Sequence, residues 1–115
     1  MSTSILTSTK KILGLDYEYT PFDLDIITHI NTAFSTLTQL GIGPSEGFSI
    51  TDADPEWTAF VDDDRLNSVK TYVYLRVRLL FDPPQASYLV EAINKQIAEI
   101  EWRLNMHREV ELDNE

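Results

Sequence analysis

The sequence predicts an all-α protein, a small subunit of four to five helices with one irregular segment between the second and third main helices. Two observations carry this prediction. Apolar residues recur at steps of three and four in separate stretches, which is typical of helices that bury one face. The stretch from Gly41 to Glu56 breaks this period with three glycines and two prolines. A length of 115 residues has room for one domain, which we assign to residues 1–115.

The first two helices have recognisable start and stop signals. Ser4 is expected to open the first helix and Gly14 to end it. Asp23 is expected to cap the second helix, which continues to Gly41. The apolar positions of this second helix are Leu24, Ile27, Ile30, Phe34, Leu37 and Leu40.

Residues 41–56 are predicted to form a long irregular arm, or at most a short β-hairpin, because Phe48 and Ile50 alternate with polar residues. Irregular segments of this length are commonly functional, so we expect the arm to contact something outside its own helices. Its candidate contact residues are Phe48, Ile50, Asp52, Asp54 and Glu56. A helical turn at Trp57, Phe60 and Val61 is expected to pin the arm to the body.

The third helix is predicted to be enclosed by other elements, because apolar residues surround it. Asp64 is its expected cap, and the motif Asp82-Pro83-Pro84 ends it. Its main stripe comprises Leu66, Val69, Val73, Val77 and Leu80. The run YVYLRV inside it also has the composition of a β-strand, and this alternative stays open.

The fourth helix is predicted from Ser87 to about Met106, with a flexible acidic tail at residues 108–115. Its core stripe is Val90, Ile93, Ile97, Ile100 and Leu104. Trp102 lies about 160 to 200° from Ile100 and Leu104 on a helical wheel, so it points away from that stripe.

A partner-binding surface is therefore expected on the last two helices, since aromatic residues and arginine are enriched at protein interfaces. Its candidates are Tyr74, Leu75, Arg76, Arg78, Trp102 and Met106. The alternative is that Trp102 packs under the N-terminal helix of its own chain.

Charge and composition exclude several classes of function. The formal net charge of -10 argues against gripping nucleic acid, and the only candidates for a basic recognition helix are Lys70, Arg76 and Arg78. There is no cysteine, which excludes disulfides and thiolate chemistry. No apolar run has the length of a membrane span, and no classical export signal is seen, so we expect no membrane partner.

We find no pattern for catalysis, a cofactor or a metal. Asp52, Asp54, Glu56 and Asp63 have the spacing of a calcium loop, but Trp57 occupies the position where the turn needs glycine. The two histidines lie far apart in sequence, which argues against zinc. Nucleophile-elbow, P-loop and dinucleotide motifs are absent from the sequence. The chain is therefore predicted not to be an enzyme.

Four segments in order, SILTSTKKILGL, FDLDIITHINTAFSTLTQLGIGP, KTYVYLRVRLLFDPP and INKQIAEIEWRLN, resemble the small head-tail connector proteins of long-tailed double-stranded DNA bacteriophages and prophages. The resemblance spans about Ser4 to Met106 and consists of helices and junctions. It implies a structural virion protein, a helical connector domain that forms a ring of about twelve copies beneath the portal.

The resemblance also implies partners and a location. The ring extends the DNA channel, and double-stranded DNA passes through it without specific binding, which suits an acidic lining at the arm. The ring contacts the portal protein on one side and a head-completion or tail-terminator protein on the other. The expected location is the head-tail interface of the virion, after assembly in the host cytoplasm.

A second function remains open on the residues alone. A small acidic helical adaptor or regulatory protein that acts as a homodimer would use the same Trp102 surface without needing a long arm. The number of copies in solution distinguishes the two.

Overall fold

The computed structural model describes the backbone of residues 3–113 and the side chains of residues 3–106. It contains four α-helices, α1 (Ile5–Ile12), α2 (Asp23–Gln39), α3 (Leu66–Phe81) and α4 (Ser87–Asp113), and a 3-10 turn at Trp57–Ala59. The β-structure in these residues is one isolated bridge between Ser4 and Glu56. The all-α prediction is confirmed. The strand alternative for YVYLRV is wrong, and residues 41–56 form no hairpin.

The helices pack in the order in which they occur along the chain. The principal contacts join α1 to α2, α2 to α3, and α3 to α4. Helix α3 is the central element, and its residues Val69, Tyr72, Val73 and Val77 are fully buried. The predicted enclosure of this helix is therefore provided largely by its own chain.

Glycine ends the first two helices, as the sequence predicts. Gly14 and Gly41 have positive φ angles of 82° and 85°. In both cases the glycine N–H and the next N–H bond back to carbonyls of the last helical turn, as in a Schellman motif. Ile42, which follows Gly41, is fully buried and donates its N–H to the carbonyl of buried Leu37. This turn therefore directs the chain from α2 back into the core.

The buried face of α2 differs from the predicted one at its start. Leu24 is 76% exposed and Ile27 is half-buried. The buried residues are Ile26, Ile30, Ala33, Phe34 and Leu37. Of the two neighbouring isoleucines, Ile26 takes the core position. It lies four residues before Ile30, which lies three residues before Ala33, so all three share one face of the helix.

Asp23 is not the cap of α2. Phe22 occupies the cap position and makes no side-chain cap hydrogen bond. The Asp23 Oδ1 atom instead lies 2.8 Å from the Nζ atom of Lys10, a lysine only 2% exposed. Lys10 Nζ also donates a hydrogen bond of 3.0 Å to the carbonyl of Tyr17. A buried ammonium needs such partners, so Lys10 fixes α1, the α1–α2 link and α2 together.

The segment 41–56 is fastened to its own subunit. The Asn31 side chain donates to the Ile50 carbonyl at 2.9 Å and accepts from the Ile50 N–H at 2.8 Å. Ser4 Oγ donates to the carbonyl of Ala53 at 2.7 Å, and the Ile5 N–H donates to Pro55 at 3.0 Å. These bonds hold both the middle and the end of the segment.

Phe48 and Ile50 do not face outward, contrary to the sequence-based expectation for the arm. Ile50 is buried in the core. Phe48 contacts the rings of Phe34 and Phe60 at centroid distances of 5.1 and 5.3 Å. Their apolar side chains pack within the chain, because α2 and the turn after Trp57 together form an aromatic pocket.

The predicted pinning turn is confirmed. Trp57, Phe60 and Val61 are all buried, and Trp57 Nε1 donates to Ser8 Oγ at 2.9 Å. At the start of α3, however, Asp64 is not the cap. Arg65 occupies the cap position without a side-chain cap hydrogen bond, and its N–H donates to Asp63 Oδ1 at 2.8 Å.

Helix α4 continues to Asp113, whereas the sequence predicts an end near Met106. The predicted flexible tail at 108–115 lies outside the residues whose side chains the structure describes.

Asn31→Ala is expected to lower the free energy of unfolding by about 1–3 kcal/mol, because it leaves both backbone groups of Ile50 without their partners. Denaturant unfolding measures this change, and hydrogen exchange at the Ile50 amide should accelerate. Thr32→Ala on the exposed side of the same helix is the control. Equal stability of the two variants would show that Asn31 does not fasten the segment.

Candidate interaction surface

Helix α4 is held to the body along one side. Its buried residues are Ile97, Ile100 and Leu104, as its predicted stripe requires, and its principal helix contact is with α3. With 27 residues it is about 40 Å long, and its outer side has no cover within residues 3–106. A long helix packed on one face leaves a large surface for a partner.

Trp102 and Met106 lie on this outer side. The Trp102 side chain is 63% exposed, and Met106, one helical turn later, is also exposed. Ala98 and Glu99 on the preceding turn are exposed as well. The alternative in which Trp102 packs under the N-terminal helix is wrong. A side chain of this size costs free energy while it stays in water, which makes it a typical centre of a binding surface.

Glu101, the residue before Trp102, joins α4 to α3 through a hydrogen bond. Tyr72 donates its hydroxyl to Glu101 Oε2 at 3.2 Å. The Arg76 guanidinium lies 5.8 Å from the centre of the Tyr72 ring, within cation–π range. Burial raises the pKa of Tyr72 from 10.0 to about 12, opposed by the positive charge of Arg76 and assisted by the negative charge of Glu101. The phenol therefore remains a hydrogen-bond donor to Glu101 at neutral pH.

The other predicted interface residues on α3 have contacts within the subunit. Tyr74 is half-buried with its ring edge-on to Trp57 at 5.6 Å, and Leu75 packs against the core. Arg78 Nε donates to the carbonyl of Asp82 at 2.8 Å, which closes the end of the helix. Arg76, Leu79 and Leu80 line a groove between α3 and α4 with Asn94 and Ile97. A role of these α3 residues in partner binding stays a prediction.

The acids of segment 41–56 form a second exposed group. Asp52, Asp54 and Glu56 all face solvent. Asp52 Oδ1 accepts the Asp54 N–H at 2.9 Å, and Glu56 bridges to Ser4, so the backbone that carries these acids is ordered by local bonds. Within the described residues no three His, Cys, Asp or Glu side chains lie close enough to hold a metal ion. The described helices also include none suited to crossing a lipid bilayer.

A third exposed group, on the α1–α2 link, is not recognised by sequence reasoning. Tyr17 is 67% exposed, and Tyr19, Phe22 and Leu24 are also exposed. Phe22 contacts the ring of Phe81 edge-on at 5.3 Å. The motif DYEYTPFD reads as an ordinary connector, and its density of aromatic residues is the signal that could have identified it.

Comparison with known proteins gives a match to a protein family. The family described as "Phage connector protein" matches residues 5–111, which is nearly the whole chain. No curated protein and no solved structure matches.

The protein should lose stability between pH 10 and pH 12 through Tyr72. A raised pKa favours the protonated phenol in the folded state, so its stabilising effect is complete below pH 10 and is lost as the pH rises towards 12. Tyr72→Phe should lower the free energy of unfolding by about 0.5–1.5 kcal/mol at neutral pH. It should also reduce the further loss of stability between pH 10 and pH 12. Unfolding free energies at several pH values measure both effects. Tyr19→Phe, at an exposed site, is the control, and an identical alkaline profile for both variants would contradict the assignment.

Proposed function

This chain belongs to the phage connector protein family, and we propose that it is a head-tail connector subunit that assembles into a ring of about twelve copies beneath the portal. The ring would extend the DNA channel and provide the platform on which a head-completion or tail-terminator protein docks. The proposed location is the head-tail interface of the virion, after assembly in the host cytoplasm.

The observation that carries this proposal is the exposed Trp102 on a chain that matches the connector family over residues 5–111. A closed ring is a heterologous assembly, in which each subunit presents two different surfaces to its neighbours. Helix α4 offers one such surface, because its outer side carries Trp102 and Met106 and lacks intramolecular cover among the described residues. Burial of these side chains by a neighbour would remove apolar area from water and favour assembly.

The exposed acids Asp52, Asp54 and Glu56 are proposed to face the channel. The phosphates of DNA repel carboxylates, so an acidic lining would not bind the passing duplex and would not slow its passage. Phe48 and Ile50, which the sequence places with these acids, serve a different purpose, because they anchor the acidic segment in the subunit core.

Wild-type protein should form rings in negative-stain images, alone or on the portal protein of the same phage. Trp102→Ala should raise the protein concentration needed for assembly by roughly 30-fold, as expected when an interface residue worth about 2 kcal/mol is removed. Because the indole is mostly in water in the subunit, the melting temperature should change little. Solution mass and thermal unfolding measure the two quantities.

Leu89→Ala, an exposed apolar truncation on another side of the same helix, is the matched control. If Trp102→Ala lowers the melting temperature and leaves the mass unchanged, Trp102 stabilises its own subunit. A wild-type mass of two copies, with no ring on the portal, would instead support the homodimeric adaptor.

A further inference from the structure

The link between α3 and α4 is short, rich in proline and at the surface. It has the sequence DPPQA and covers residues 82–86, none of which is buried. Consecutive prolines cannot continue a helix, and they favour an extended backbone. The Asp82 N–H and carbonyl both bond to Arg78, and the Ala86 carbonyl accepts N–H groups from the first turn of α4. The hydrogen bonds that hold this link therefore belong to the two helices that it joins.

Helix α4 is held to α3 by the half that lies far from the link. Residues 87–96, the ten nearest the link, include no buried residue. Ile97, Ile100 and Leu104, further along, are at most 5% exposed. Apolar contacts of this kind can be made by the same α3 surface on any copy of the chain. The docking half of α4 thus starts about 15 Å along the helix from the link.

The first helix is fastened in a different way. Directional contacts join α1 to distant parts of the chain, among them the Trp57 Nε1–Ser8 Oγ hydrogen bond and the buried pair of Lys10 with Asp23. Separation of these groups would leave buried polar atoms without their partners, which is costly. Of the two terminal helices, α4 is therefore the one that can change its partner more easily.

We propose that in the ring each α4 leaves the α3 of its own copy and packs on the α3 of the next copy. This exchange rests on the proposed ring and identifies the contact that joins its subunits. The two surfaces are complementary, because the subunit itself shows α4 seated on α3. Ile97, Ile100 and Leu104 meet the same α3 residues as before, and Glu101 accepts the Tyr72 hydroxyl of the next copy. Exchange of an identical element is a low-cost route to assembly.

The link is long enough for this exchange. The six residue steps from Phe81 to Ser87 span about 20 Å when extended, and the ten residues before Ile97 add about 15 Å as helix. The docking half of α4 can therefore reach about 35 Å from the end of α3. The subunit measures 46 × 35 × 23 Å, so the α3 of an adjacent copy lies within this distance.

The exchange has a direction, which suits a closed ring. Each copy gives its α4 to one neighbour and receives an α4 from the other, so every α3 surface stays covered. An exchanged α4 lies between two copies, and its outer side with Trp102 faces the copy from which it extends. In dilute solution a short link favours the contact within one chain. Assembly on the portal raises the local concentration of neighbours and favours the exchange.

A chemical cross-link between α3 and α4 distinguishes the exchanged from the unexchanged ring. Ser68 and Arg103 line the same grooves between these helices, and the natural chain has no cysteine. In the dilute variant Ser68→Cys/Arg103→Cys, a short bismaleimide should bridge the thiols within one chain. In assembled rings it should join different copies and give a ladder of covalent multimers on a denaturing gel. Monomeric bands alone from intact rings would overturn the exchange.

Locking α4 before assembly tests the exchange independently of where neighbouring copies touch. The double variant, bridged as a dilute subunit and then added to the portal, should form no rings, because α4 cannot leave its own α3. The same variant with both thiols capped by N-ethylmaleimide should assemble, since it has the same substitutions without the bridge. Thr7→Cys/Asp16→Cys, whose sites line a recess between α1 and the α1–α2 link, is the control for a bridge elsewhere and should also assemble.

The possible results separate this inference from the proposed function. Rings that form equally well from the bridged and the capped variant would overturn the exchange, while the proposed function stands. Covalent products that stop at two copies would show a reciprocal dimer and would also overturn it. Absence of rings from the wild type would reject the proposed function and this inference with it. Thr71→Cys/Gln96→Cys, a second pair in the same groove, repeats the test at exposed sites.

Discussion

The packing of α3 between α2 and α4 is the constraint on which the rest of this structure depends. Tyr72 lies at its centre, fully buried, with its hydroxyl bonded to Glu101 of α4. Because α3 takes up the inner face of α4, the outer face of α4 has no partner among the side chains of residues 3–106. The surface offered to other proteins is therefore a consequence of how the core is built.

The same core explains which parts of the fold and surface could be predicted from sequence. Helical period and terminal glycines depend on neighbours within one or two turns, so the helices, the stops at Gly14 and Gly41 and the outward direction of Trp102 were predictable. The ion pair of Lys10 with Asp23 and the clasp of Asn31 on Ile50 join residues distant in sequence, and no local pattern encodes them. Local patterns therefore predict Asp23 as a cap and Ile50 as an outward residue, and both predictions are wrong.

Residues 12–64 contain eleven Asp and Glu and no Lys or Arg. The exposed acids Asp52, Asp54 and Glu56 belong to this stretch, and in the proposed channel they would repel the phosphates of DNA.

Acrylamide quenching of tryptophan fluorescence tests the central claim most directly. The chain has two tryptophans, of which Trp57 is fully buried and Trp102 is 63% exposed. In the dilute subunit, quenching should therefore resolve one accessible and one protected indole. In the assembled protein we expect the accessible fraction to disappear, because a neighbour covers Trp102. An accessible fraction that persists unchanged in rings would contradict this account.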